Sequence, residues 1–357
     1  MSTTVTDSVA VAPQLRRGLT TDRLPNWAPA GIAAVSIAIG VAIGLGAGLT
    51  SRIQWGLLAG LAFVGLTYVL SAKVEGRRQA KDRLATSVVW LAFVLAVIPL
   101  VALIFYTVQQ GAGVVNGYFL NHSMKGVIST EAGGGVYHAL IGTLEQVGLA
   151  TLLAAPVGLL TAVYLVEYGR GRLAKAVTFF VDVMTGVPSI VAGLFILSLW
   201  ILLFDFEYSG FAGSLALAIL MMPVVVRSTE EMLKLVPNEL REASYALGVP
   251  KWKTILRIVL PTAIGGITTG VMLAVARITG ETAPVMMLVF GTEIINSNPF
   301  EGPQQSLPLY IWQQYQSNND FGYARAWGAA LVLIAFVMAL NLVARAIARW
   351  RSPKSGH

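Results

Sequence analysis

Apolar residues along this chain run in long blocks separated by short polar segments. Eight blocks are long enough to cross a bilayer as helix, which takes roughly 20 apolar residues. They cover residues 28–50, 53–72, 85–108, 138–166, 175–204, 211–227, 261–290 and 326–346. The pattern predicts an all-α polytopic membrane protein with eight transmembrane helices. The first block is too long for the apolar core of a signal peptide and a second follows directly, so it is expected to anchor the chain. Residues 1–27 are polar and rich in Ser and Thr and are expected to be mobile; residues 351–357 form a short tail.

Composition agrees. Of 357 residues, 55% are hydrophobic and 12% charged, where soluble domains carry about 25% charged residues. Mean hydropathy is +0.69. The net charge of +7 does not point to nucleic acid, because the basic residues cluster between apolar blocks. Of the 25 Lys and Arg, 21 fall in alternate polar segments: Arg16, Arg17 and Arg23; KVEGRRQAKDR; GRGRLAK; Arg227 to Arg257; and Arg345 onward. The other set of loops holds only Arg52, Lys125 and Arg325. The positive-inside rule then places both ends in the cytoplasm. Trp27, Tyr164, Tyr168 and Trp350 lie near block ends, where amphipathic rings favour the headgroup layer. The outer segment 291–326 is long and amide-rich, and its LPLYIWQQY stretch is expected to lie on the membrane surface or to touch an external partner.

The absence of cysteine excludes disulfides, thiol catalysis and Cys-based zinc sites. His122, His138 and His357 form no H-E-x-x-H pattern, and there is no P-loop. Any ATP that drives this chain is bound by another.

Residues 228–261, between the sixth and seventh blocks, are too many for a simple connector. Ser228 and Glu231 have capping-box spacing. Asn238 can cap a second helix, which stops at Gly248 with Pro250 beyond. In KWKTILRIV, Trp252, Ile255, Leu256 and Val259 share one predicted face, with Lys251, Lys253 and Arg257 opposite. A solvated hairpin and a docking knob both fit this pattern.

The knob reading gains support from a resemblance. Glu242-Ala243-Ser244, Gly248 and Ile258-Val259-Leu260-Pro261 are similar in residues and spacing to the EAA loop of ABC importer permeases, with Ser244 replacing the second alanine. The resemblance implies that Glu242 contacts a cytoplasmic ATPase. It implies further that Ala243 and Ser244 permit close approach and that Gly248 makes the turn.

RITGETAP puts Arg277 and Glu281 in the seventh block, about 24 Å from Pro261 at ~1.5 Å per residue. An arginine there costs roughly 2.5–3.5 kcal/mol, and an i,i+4 partner returns only ~0.2–0.5 kcal/mol in an exposed helix. The pair either fixes helix packing or lines a water-filled anion path, where the arginine fork suits an oxyanion. Gly280 and Pro284 predict an irregular helix, tolerated where it lines a cavity. Arg227, at a block end, is either a second anion contact or an arginine snorkelling to headgroups. Gly186 and Pro188 are expected to kink or break the fifth block.

RITGETAPVM, TGVPSIVAGLF, PVVVRSTEEML and GTLEQVGLATLLAAPVGLLTAVYLVEYG also resemble the PstA-type permeases of phosphate importers, over residues 85–350. The family's six-span core would then follow two additional spans and a basic loop at 28–84. The resemblance implies a multi-pass protein of the bacterial cytoplasmic membrane, working by alternating access. Its partners would be a PstC-type second permease, a PstB-type ATPase dimer and an extracytoplasmic PstS-type phosphate-binding protein. This chain would bind no cofactor itself, with ATP and Mg used by the ATPase. Sulfate or molybdate as cargo, and an ion-coupled secondary transporter, are the alternatives.

Overall fold

The computed structural model describes residues 24–351. Residues 1–23, with Arg16, Arg17, Arg23 and most of the expected mobile segment, lie outside the described residues, as do the tail beyond 351 and the Trp350 side chain. The regular secondary structure of the described residues is all helix, apart from one isolated backbone bridge between Phe290 and Gln304. Seven of its helices are long and apolar enough to cross a membrane, and a bent pair brings the total to eight.

Two compact units divide between Ile104 and Phe105. The first holds α1 (Ala28–Gly46), α2 (Arg52–Val74) and the start of α3 (Arg77–Gly111). α1 and α2 form a hairpin in which Gly40 lies against the backbone of Trp55. Much of the basic segment read as a loop is the first turns of α3, and α3 has no break near residue 84. At the α2–α3 corner the buried Glu75 carboxylate accepts from Arg83 Nε (2.5 Å) and Nη2 (2.6 Å), Ser71 Oγ (2.6 Å) and the Leu24 amide (2.8 Å). The Arg83 hydrogen bonds hold its pKa down to about 2 against the opposing effect of burial.

The second unit begins with the short α4 (Gly117–Asn121) and the long α5 (Tyr137–Val163), which a π-helical turn extends to Tyr168. α6 (Gly171–Thr185), α7 (Ser189–Ile196, continued to Leu203) and α8 (Gly210–Lys234) follow. α9 (Asn238–Ala246) leads to α10 (Lys251–Thr254) and α11 (Leu260–Thr279), joined by the π-helical turn Ile255–Val259 into one rod. α12 (Ala283–Leu288), α13 (Leu307–Gln316) and α14 (Asp320–Arg351) complete it.

α5 and α8 are the packed centre. Every fourth residue of α5 from Gly142 through Gln146, Ala150, Ala154 and Gly158 to Ala162 is buried. That stripe of mostly small side chains lets α8 approach closely, the usual basis of packing between membrane helices. A Cβ on Gly158 would sit 2.8 Å from Val225.

The fifth block is broken where Gly186 and Pro188 were expected to break it: α6 and α7 are bent by 106°, with Gly186 ending one helix and Pro188, which has no N–H to donate, preceding the next. Other expectations need correction. The sixth runs on to Lys234, so Ser228 is mid-helix, its hydroxyl donating to Val225 O, and no capping box forms. Pro237 takes the cap position expected of Asn238. The seventh starts ten residues early, at Lys251, because the widened turn at Ile255–Val259 accommodates Pro261, which cannot supply the next helical bond. In that rod Ile255 and Val259 are buried, but Trp252 and Leu256 are exposed. The LPLYIWQQY stretch forms α13, with Leu307, Pro308, Leu309 and Tyr310 buried against α14 and α5 and with Trp312 and Tyr315 exposed.

Candidate functional site

At one end of the second unit, α8, α9 and the α10–α11 rod meet the end of α5. α9 terminates in a paired hydrogen-bond motif, Gly248 N–H to Tyr245 O (2.9 Å) and Val249 N–H to Ser244 O (3.2 Å). Gly248 adopts φ +75° there, a conformation that penalises any residue with a Cβ. Glu242, Ala243, Ala246 and Leu247 are exposed, with Leu247 83% accessible. Ser244 does not share that face. It is buried, and its hydroxyl is 2.8 Å from Thr254 Oγ1, which fastens α9 to the following helix. The close approach to a partner expected of Ser244 is therefore an approach within the chain. Leu260 and Pro261 are half-buried in the rod.

The fastening of α9 depends on residues the sequence reading passed over. Arg241 donates to Glu167 Oε1 from Nη2 (2.9 Å) and Nε (3.1 Å), to Leu233 O (3.0 Å) and to Val236 O (2.6 Å). The Lys251 ammonium donates to Glu167 O and lies 4.8 Å from the centre of the Tyr168 ring. The signal was available in Glu167, an acid at the edge of an apolar block, and in Arg241, next to the motif glutamate.

Arg227 stands one helical turn before this end. Its guanidinium reaches Asp182 of α6 and Glu230 of α8 (2.6 Å), and Lys234 joins Glu230 at 2.9 Å. Two carboxylates thus engage Arg227 and tie α8 to α6.

Arg277 lies in the last turn of α11. The helix stops at Thr279, Gly280 is its cap, and the Glu281 amide turns back to Ile278 O at 3.1 Å. Glu281 is therefore beyond the helix, and among the described residues no ion pair joins it to Arg277, contrary to the i,i+4 expectation. Arg277 is exposed and Glu281 half-buried. Thr262, Thr269, Leu273 and Arg277 recur at helical spacing on the face of α11 that α8 and α14 leave open. Pro284 starts α12 and packs on Gly193 of α7, where an added Cβ would lie 2.9 Å from Pro284 Cα. The stretches TGVPSIVAGLF and RITGETAP, distant in sequence, are thus in contact.

The opposite end is tied by amides. Gln146 Nε2 donates to Gln304 Oε1 (2.9 Å) and Gln305 O (3.2 Å), Gln304 Nε2 donates to Glu145 (2.5 Å), and the Leu307 amide donates to Thr143 Oγ1 (2.7 Å). Arg325, read as a loop residue, is buried, donating to Ser129 O (2.5 Å), Glu131 O (2.8 Å), Gly133 O (3.2 Å) and Gln314 Oε1 (2.7 Å). Among the described residues no group of three or more His, Asp and Glu could hold a metal ion.

Residues 154–356 match the family described as "binding-protein-dependent transport system inner membrane component". The phosphate transport system permease protein PstA 1 of Mycobacterium tuberculosis is 54% identical over 76% of this chain and 90% of its own length. PstA of Mycobacterium leprae is 51% identical over 77% and 90%. The Pasteurella multocida protein of that name is 37% identical over 75% and 94%.

Proposed function

Because this chain belongs to the PstA-type permeases of the binding-protein-dependent transport family, we propose that it forms one half of the membrane pathway of an ATP-driven inorganic phosphate importer. The family is one of transporters, not enzymes. The observation that carries the reading is the division of labour on α9. One face is fastened within the chain through Ser244 and Arg241, while Glu242, Ala243 and Leu247 are presented outward. A helix held this way fits the groove of a separate ATPase, which would use ATP and Mg and push α9 as it closes.

Arg277 is proposed as an anion contact. It is exposed on a face bearing two threonines and has no carboxylate partner among the described residues. A planar fork of donors there can bind phosphate bidentately. Glu281, just past the helix end, would meet Arg277 only after a local movement and would repel a competing anion at rest. Arg227 is assigned to holding α8 on α6. The complete machine would hold a PstC-type second permease, a PstB-type ATPase dimer and a PstS-type binding protein, with both ends of this chain in the cytoplasm of a bacterial cell and α9 facing it.

The test is labelled-phosphate uptake at low external concentration in a host lacking its other phosphate systems, with and without this chain and its partner subunits. ATP-dependent uptake that sulfate and molybdate do not compete supports the reading. Uptake of sulfate instead would move the cargo to another oxyanion, and no dependence on ATP would remove the importer reading.

A further inference from the structure

α9 is held to the rest of the unit largely through polar ties. Of its own side chains only Ser244 is buried; Leu240 and Tyr245, and Leu247 just past its end, are exposed. A short helix with so little apolar contact would swivel when pushed unless its ties set the direction of the push. The Ser244–Thr254 hydrogen bond reaches the next helix, ten residues on. The Arg241–Glu167 pair reaches 74 residues back, to the end of α5.

We propose that Arg241 and Glu167 form the strut through which movement of α9 is passed to α5, making both positioning residues for coupling. The geometry supports this at each joint. The Arg241 side chain is 12% exposed and that of Glu167 5%, so the pair is shielded from solvent. Such a pair is more directional than an apolar contact, because one guanidinium must satisfy the carboxylate, the Leu233 carbonyl in the last turn of α8 and the Val236 carbonyl just beyond it. Glu167 sits in the π-helical turn that extends α5, and such turns recur where a helix places a functional side chain. Its own carbonyl takes Lys251, so the ends of α5, α8 and the α10–α11 rod converge on one residue. α5 in turn packs along most of its length on α8, so displacement of Glu167 moves the packed centre of the unit.

This inference rests on the proposed docking of α9 to an ATPase, and the experiment separates the two. The complete importer, reconstituted with its partner subunits in proteoliposomes, is assayed for phosphate uptake and ATP hydrolysis together. Glu167→Gln keeps shape and hydrogen-bonding capacity but removes the charge. It is expected to lower phosphate moved per ATP about tenfold or more, with the ATPase still copurifying at wild-type stoichiometry. Arg241→Lys, which keeps the charge but not the fork, is expected to fall between wild type and Arg241→Met. A ratio within twofold of wild type in both Glu167→Gln and Arg241→Met would overturn the strut. Loss of the ATPase from both variant complexes would also overturn it, by reducing the pair to a scaffold for α9. The docking reading fails separately, if Leu247→Asp on the outward face leaves ATPase binding and uptake intact.

Discussion

Arg277→Ala separates a pathway role from a structural one more sharply than any other substitution in this chain. Within the described residues the Arg277 side chain makes no ion pair and no hydrogen bond, and it is exposed. Truncation should therefore leave stability within about 0.5 kcal/mol of wild type, as at surface positions without special contacts. Loss of hydrogen bonds to a charged substrate should cost transport roughly 1.5–3 kcal/mol. At 1.36 kcal/mol per decade, that is a fall of roughly 10- to 150-fold in uptake. Arg277→Lys keeps the charge without the fork and should fall between. The assay is initial-rate labelled-phosphate uptake at limiting concentration, normalised to folded protein and accompanied by thermal unfolding of the purified complex. Full uptake by Arg277→Ala would remove this arginine from the pathway. A large drop in unfolding temperature would make its role structural, through a contact with the second permease.

Arg325→Ala, by contrast, should be destabilising by roughly 3 kcal/mol, since it orphans three loop carbonyls around a buried site; limited proteolysis should then cut within 123–136, and an uncut loop would contradict this. Gly193→Val drives a side chain into Pro284 and should cost about 1–3 kcal/mol, read as a lower unfolding temperature and reduced uptake; an unchanged variant would mean that α7 and α12 separate freely. Gly248→Ala places a Cβ at φ +75° and should weaken ATPase copurification without blocking membrane insertion, whereas normal copurification and uptake would contradict the need for this turn. The Glu75 carboxyl is held down to about 2, so its contribution is fully present above the ordinary carboxylate range and is lost only as pH falls from about 4.5 towards 2. Hydrogen exchange of the whole chain in nanodiscs should accordingly show equal protection of residues 71–83 at pH 7 and pH 5, with Glu75→Gln less protected at both; loss of wild-type protection by pH 5 would contradict this.

The spans were legible because hydrocarbon imposes one rule on every block, namely enough apolar residues in helix. Where blocks end was less legible, because helices continue into the polar segments whenever nothing stops them. α8 ran through Ser228 and Glu231 to Lys234, and α3 began inside a basic segment. The EAA residues were visible as a pattern, but their sides were not. A substitution that reads as one more small residue proved to be a buried hydroxyl bonded to Thr254. The Arg277–Glu281 pair failed for a related reason. Spacing of four means contact only inside a helix, and Gly280 ends that helix between them. The contacts of Arg241, Arg325 and Gln304 span sequence separations that no local pattern encodes.

The distribution of these ties along the second unit bears on how such a permease could work. At the α9 end, ion pairs dominate: Arg227 with Asp182 and Glu230, Lys234 with Glu230, and Arg241 with Glu167. At the opposite end, side-chain and backbone amides carry most of the load, through Gln146, Gln304 and Gln305. Two charged groups also take part at that opposite end: Glu145 accepts from Gln304, and the buried Arg325 binds three loop carbonyls. Under the docking proposed for α9, the charged ties at its own end would lie where force enters the chain. The break around Gly280 follows an arginine, Arg277, that has no ion-pair partner among the described residues. An arginine left unpaired at the break is costly to keep in a membrane unless an anion or another chain meets it there. If the proposed pathway role holds, passing phosphate is what meets Arg277; a carboxylate from another chain is the competing reason. The unfolding temperature of Arg277→Ala in the assembled complex tells the two apart.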